Sequence, residues 1–322
     1  MHRIQPDLSV AIASLVLRNP VIIASGVFGY GQEYNGLVDV HQIGAIITKG
    51  ISLQPSQGNP PPRIVETPSG MLNAIGLHNI GYERFVQEKL PLLRQCGTTV
   101  IVNFYGTTIH EYTELARRLS DCEGVGALEA NLSCPNISRG GMSFGTDPRS
   151  AARITRALRK ATQLPLIIKL TPNAGSIATI ARHVADAGAD AVSLINTITG
   201  MVIDIDTRTP FLGNITGGLS GPAIRPVALR MVWETVQQIT IPVIGIGGIM
   251  TAADALQFLI AGAQAIQIGT GLFVNPKAPE EIVAGITAYL QKHGYSRIQE
   301  IIGSLQIPTH RTYDCDNTIH DT

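Results

Sequence analysis

Leu164-Pro-Leu-Ile-Ile-Lys-Leu170, followed by Ser176-Ile-Ala-Thr-Ile-Ala-Arg-His-Val-Ala-Asp-Ala187 and Gly188-Ala-Asp-Ala-Val-Ser-Leu-Ile-Asn196, is one full structural unit of this chain. The first run is apolar without alternation, as expected of a strand buried on both faces. The middle stretch has helical spacing, and Gly188 supplies its C-terminal stop. A second apolar run then begins at Asp190. A strand, a helix of this length and another strand make a parallel βαβ unit.

The same alternation extends in both directions. Apolar runs occur at Val21–Ala24, Gly44–Lys49, Thr99–Asn103, Val125–Leu132, Leu164–Leu170, Asp190–Asn196, Ile241–Ile246 and Ala263–Ile268. Helical stretches are expected over residues 32–40, 80–95, 108–120, 148–162, 176–187, 222–238, 252–261 and 279–292. Asp147-Pro148 and Thr251 are good helix starts. Eight strand–helix units predict an α/β fold, a (β/α)8 TIM barrel. A doubly wound open sheet is the alternative reading of the same alternation. Residues 7–18 alternate as a short N-terminal hairpin, placed to plug one end of the barrel. Residues 50–75 and 197–221 are long inserted loops at the carboxyl rim. The expected organisation is one domain over 1–306 and a polar C-terminal tail over 307–322.

The chain has 322 residues, 44% hydrophobic and 15% charged, with a formal net charge of zero. That length supports a large core. No basic stripe, acidic run or transmembrane-length apolar run is present, which argues against nucleic acid and membrane as partners and for a cytoplasmic protein. The cysteines, Cys96, Cys122, Cys134 and Cys315, form no CxxC pair and no zinc or iron–sulfur spacing. No metal site is expected.

Function is written at the strand ends. Five successive runs end in Lys49, Asn103, Asn131, Lys169 and Asn196. A single polar strand end means little. Five together, with no carboxylate among them, predict a rim that binds an electron-rich or phosphorylated ligand: the lysines give charge and the amides read donors and acceptors. Gly245-Ile-Gly-Gly248 and Gly269-Thr-Gly271 follow the seventh and eighth runs, where barrels hold phosphate on backbone N–H groups. Tight turns would use the same glycines. Neither stretch is a dinucleotide fingerprint, since Met250 stands where the third glycine would be. Asn131-Leu-Ser-Cys-Pro-Asn136 sets a thiol at a strand end among polar neighbours, before the glycine-rich segment 137–146. The thiol is a candidate nucleophile or base, or else a small buried apolar residue in a turn. Residue types alone leave FMN and pyridoxal phosphate both open as the phosphorylated cofactor.

Taken in order, a set of motifs resembles one family. They are Ala24-Ser-Gly26, Thr48-Lys-Gly50, Met71-Leu-Asn-Ala-Ile-Gly-Leu77, Asn131–Asn136, Phe144-Gly-Thr-Asp-Pro148, Lys169-Leu-Thr-Pro-Asn173, Gly217–Pro226, Gly247-Gly-Ile249 and Gly269-Thr270. Over about residues 8–305 the chain is similar to class 1 dihydroorotate dehydrogenases, and within them to class 1B. The resemblance implies oxidation of (S)-dihydroorotate to orotate with FMN. Cys134 would take a proton from C5 while a hydride passes from C6 to the flavin. It implies cofactor contacts from Ser25, Thr48, Lys49, Asn103, Asn131 and Lys169, and from Ile195, Gly221, Gly247, Gly248, Gly269 and Thr270. It implies substrate contacts from Lys49, Asn73, Ala74, Ile75, Gly76 and Leu77, with Asn131, Asn196 and Thr197. Class 2 members carry serine in place of the cysteine and a membrane element at the N-terminus, neither of which is expected here. Class 1B further implies a partner subunit with FAD and an iron–sulfur cluster, NAD as acceptor, and a heterotetramer with two of each chain. A stand-alone, fumarate-using class 1A enzyme is the alternative. The chain departs from the family pattern at Phe104 and Tyr105, which are bulky, and at His78, where a carboxamide is expected.

Overall fold

The computed structural model describes residues 5–31, 33–34, 36–133 and 144–307. Eight parallel strands close a barrel: β1 (Val21–Ile23), β2 (Ala45–Ile47), β3 (Thr99–Phe104), β4 (Ala127–Asn131), β5 (Leu166–Lys169), β6 (Ala191–Leu194), β7 (Val243–Ile246) and β8 (Ala265–Ile268). Each pairs with its neighbours in sequence, and Ile266 opposite Val21 closes the ring. Every apolar run therefore forms a strand, and the open-sheet alternative falls. Nearly all strand residues are buried, which is why the runs read as continuously apolar rather than alternating.

Helices Ile109–Ser120, Pro148–Ala161, Ile177–Asp186, Arg225–Val236, Ala252–Ile260 and Ala278–His293 wrap the barrel. Thr108, Asp147, Ser176 and Thr251 each accept a backbone N–H at their helix starts, satisfying donors that the first turn leaves free. The stretch from residue 81 to 93 is helical with a π-helical segment, Phe85–Lys89, in its middle.

Two expectations need correction. Among the described residues of 32–40 no α-helix forms. The described residues there make turns, followed by a 3-10 turn at Val40–Gln42 that Asp39 caps. Gly29, Gly31 and Gly36 hold φ of 58°, 95° and 81°, a conformation that interrupts a helix. The two rim insertions are not simple loops. Ile64–Thr67, Gly70–Asn73, Thr216–Ser220 and Ile198–Met201 build a four-stranded antiparallel sheet from both of them. The N-terminal hairpin does form, Val10–Ile12 against Leu15–Leu17. A Cβ added at Gly126, just before β4, would stand 3.7 Å from Leu15 Cδ1, so the hairpin lies against the amino ends of the strands. No helix among the described residues is long and apolar enough to cross a membrane.

Candidate active site

Barrel geometry turns alternate strand residues inward. On β4 that row holds Glu129 and Asn131, and in β5 it holds Ile167 and Lys169. Register sets Asn103 opposite Glu129, Asn131 opposite Lys169, and Lys169 opposite Ser193. Asn103, Asn131 and Lys169 are thus neighbours around one mouth.

Asn103, Asn131 and Lys169 are buried. Lys169 Nζ lies 3.8 Å from Glu129 Oε1 and makes no closer polar contact among the described residues. The Asn131 side-chain oxygen accepts from Ser133 N at 3.1 Å, and Tyr112 OH donates to the Asn131 carbonyl at 2.7 Å. Thr48 Oγ1 accepts from Asn103 N at 3.3 Å. Asn196 N donates to Leu170 O at 3.0 Å, which carries the chain from β6 onto the rim. Lys49 follows β2 and is half-buried. Burial pushes its ammonium below the ordinary lysine range; Glu33 opposes that shift and the Arg63 guanidinium adds to it. His78 is exposed, and its imidazole is held below its usual value by desolvation first, then by Lys49 and Arg63.

The glycines after β7 and β8 lie together with Gly221. A Cβ on Gly248 would stand 2.8 Å from Gly221 O, and one on Gly221 would stand 3.6 Å from Thr270 Cγ2. A Cβ on Gly247 would stand 3.5 Å from Ile195 Cγ1. The N–H groups of Gly247, Gly248, Gly269 and Thr270 make no backbone hydrogen bond among the described residues. Open space surrounds Gly269, where an added Cβ would meet only Ala24 Cβ at 4.0 Å. N–H groups without backbone partners, with open space in front of Gly269, make a cradle of the kind that suits a phosphate. Ser25 lies just past Ala24, beside this group.

Asn73, Ala74, Ile75, Gly76 and Leu77 leave the rim sheet as a strap. The Asn73 amide donates to Gly218 O at 3.4 Å, and a Cβ on Gly218 would overlap Thr197 Oγ1, so Asn73 and Thr197 flank one position. Asn59 holds the strap through the Ala74 and Ile75 carbonyls at 3.1 and 3.2 Å. Leu77 adopts φ +59°. Its carbonyl accepts from Tyr105 OH at 3.0 Å and from Asn79 Nδ2 at 2.9 Å. The bulk at Phe104 and Tyr105 is accommodated by burial: Phe104 packs edge-on against Tyr112 of the flanking helix, and the Tyr105 hydroxyl clamps the strap. Cys134, Asn136 and most of segment 137–146 lie outside the described residues, as does Cys315.

Sequence reasoning missed the carboxylate in this mouth. Glu129 is fully buried and accepts hydrogen bonds from Asn103, Ser193 and Gln267. The signal was there: a charged residue in mid-strand, two positions before Asn131 and so on the same face, with Ser193 and Gln267 breaking two other apolar runs. Two buried polar atoms nearby find no partner among the described residues, Ser133 Oγ and Gln267 Oε1.

The sequence model of the dihydroorotate dehydrogenase family matches residues 7–290. A Geotalea daltonii protein named dihydroorotate dehydrogenase B (NAD(+)), catalytic subunit, is 58% identical over 303 residues, covering 94% of this chain and 99% of that protein. A Geobacter sulfurreducens protein of the same name is 56% identical over 303 residues, with the same coverage. A family match over most of the chain, joined to relatives more than half identical along nearly their whole length, means that the chain belongs to the dihydroorotate dehydrogenase family.

Proposed function

We propose that this chain is the FMN-carrying catalytic subunit of an NAD-linked dihydroorotate dehydrogenase, oxidising (S)-dihydroorotate to orotate in pyrimidine biosynthesis. The observation that carries the reading is the ring of Lys49, Asn103, Asn131, Lys169 and Asn196 at one barrel mouth, beside an unspent glycine cradle. FMN fits these residues. The cradle offers N–H groups to a phosphate, and Lys169 offers an ammonium without a hydrogen bond among the described residues.

Bound FMN would supply hydride acceptance from C6 of the substrate. Cys134 takes the C5 proton, so one proton and one hydride leave together and the ring gains its double bond. That role rests on the resemblance of Asn131–Asn136 to the family motif. A thiol among polar and cationic neighbours reaches the thiolate state near neutral pH. Lys49, with Asn73 to Leu77, Asn131, Asn196 and Thr197, holds the substrate. Ser25, Thr48, Lys49, Asn103, Asn131 and Ile195 hold the cofactor together with Lys169 and the cradle residues. Lys169 places a fixed cation where reduced flavin carries negative charge. Residues 1–306 act as one domain and 307–322 as a tail, in the cytoplasm. A second subunit with FAD and an iron–sulfur cluster passes electrons to NAD, two of each chain assembling together.

The acceptor decides this reading. The purified chain should hold yellow flavin and reduce NAD only when an FAD and iron–sulfur partner is added. Rapid turnover of fumarate by the chain alone would replace it with the stand-alone class 1A alternative.

A further inference from the structure

Glu129 sits in the middle of β4, where no solvent reaches it. Side chains from four other strands converge on it. Asn103 Nδ2 of β3 donates to Oε1 at 2.7 Å. Ser193 Oγ of β6 and Gln267 Nε2 of β8 donate to Oε2, both at 2.8 Å. Lys169 Nζ of β5 faces Oε1 at 3.8 Å. Both carboxylate oxygens accept, and all three hydrogen-bonding partners donate to them.

A buried ion held this way is costly, and an apolar interior of equal volume is often at least as stable. Stability is therefore a weak reason to keep it. Two of its four partners, Asn103 and Lys169, belong to the proposed cofactor set. Each is fixed by the carboxylate in a definite way. The Asn103 amide spends an N–H on Glu129, which turns its oxygen toward the rim, 2.8 Å from where a Cβ on Gly50 would stand. The Lys169 ammonium is held between an anion beneath it and the mouth above it, so part of its positive potential is cancelled before it reaches a ligand.

We propose that Glu129 is a positioning residue that anchors Lys169 and Asn103 and lowers the redox potential of the bound flavin by offsetting the lysine's charge. This rests on the proposal that FMN binds at this mouth. A cation favours the electron-rich reduced cofactor, and an anion behind that cation weakens the preference. Ser193 and Gln267 contribute by fixing the orientation of the carboxylate from its other oxygen.

The test is the midpoint potential of bound flavin, measured by equilibration with a reference dye, alongside flavin content. Glu129→Gln keeps shape and removes charge. It should retain flavin and shift the reduced-to-oxidised ratio at fixed potential about tenfold toward reduced, about 30 mV for a two-electron couple. Ser193→Ala removes one hydrogen bond and no charge, and should shift the ratio less than about twofold. A Glu129→Gln ratio within twofold of wild type, with flavin bound, overturns the inference and leaves the cofactor reading intact. Wild-type protein that takes up no FMN overturns the cofactor reading itself, and the inference with it. Should Glu129→Gln fail to fold, Glu129→Gln/Lys169→Gln removes both charges and leaves no unpaired buried ion. Its potential should lie well above that of Lys169→Gln alone, and equal potentials for those two variants overturn the inference.

Discussion

Replacing Tyr105 by phenylalanine takes one oxygen atom out of the support under the strap at residues 73–77. Tyr105 OH donates to Leu77 O at 3.0 Å and accepts from Asn79 Nδ2 at 2.8 Å. Asn79 Nδ2 also reaches Ser52 Oγ at 2.8 Å and Leu77 O at 2.9 Å, so the change orphans no amide donor. Ser52 Oγ also reaches the hydroxyl at 3.1 Å, and of these bonds the one that bears directly on the strap is the donation to Leu77 O, a neutral hydrogen bond of about 1 kcal/mol. Leu77 is held at φ +59°, a region that costs a side-chain-bearing residue roughly 1–2 kcal/mol. The lost bond is comparable with that strain, so the variant populates the left-handed strap less. At about 1.4 kcal/mol per tenfold, the expected rise in KM for dihydroorotate is about fivefold, with a matching rise in the Kd of orotate. The value of kcat should stay within about twofold, because the hydroxyl bonds Leu77 in the strap that holds the substrate. Steady-state kinetics, orotate titration and urea denaturation read all three quantities. A stability loss near 1 kcal/mol with unchanged KM would refute the reasoning, since the hydroxyl would then serve the fold alone.

Two further outcomes follow from the same geometry. Asp254 pairs with Arg225 and accepts from Met250 N and Thr251 N, both at 3.0 Å, directly behind the glycine cradle. Asp254→Asn should cost about 2 kcal/mol in urea denaturation and speed FMN release; an unchanged midpoint and FMN affinity would remove Asp254 from the cradle's support. Lys49 has its pKa lowered by burial, with Arg63 adding to the shift. An anion needs the protonated form, so orotate affinity should fall as pH rises through this lowered value, starting below the ordinary lysine range. Lys49→Met should bind weakly at every pH without that alkaline fall, and a persisting fall would assign the titration to another group.

The barrel was legible because parallel strands covered on both faces have no freedom to be polar. Each run, from Val21–Ala24 to Ala263–Ile268, had to be apolar, and the few polar exceptions stood out at the strand ends. The rim sheet was not legible. Its pairing joins residues 64–73 to residues 198–220, and Thr216-Gly-Gly-Leu-Ser220 has little of the β-branched content that marks a strand. Its fit depends on close backbone approach, which composition does not reveal. The helix expected at 32–40 is absent among the described residues for a local reason, glycines with positive φ within and just before it. The mouth was half legible. Lys49, Asn103, Asn131, Lys169 and Asn196 announced themselves as terminal residues, whereas Glu129 was hidden inside a run whose other members are apolar or polar at the end. Only the inward register, which makes Glu129 a neighbour of Asn103 and Lys169, gives that carboxylate its meaning. Tyr105 looked like a departure from the family pattern, and the structure gives its bulk a use as a clamp on Leu77.

The central claim is that this chain carries a flavin which dihydroorotate reduces with Cys134 as the base. Anaerobic stopped-flow mixing of the purified chain with dihydroorotate tests it most directly. Wild type should lose its flavin absorbance in a rapid single turnover, and Cys134→Ala should hold the same amount of FMN while bleaching at least about a hundredfold more slowly. Flavin that stays oxidised in wild type, or bleaching at the wild-type rate in Cys134→Ala, would contradict the account.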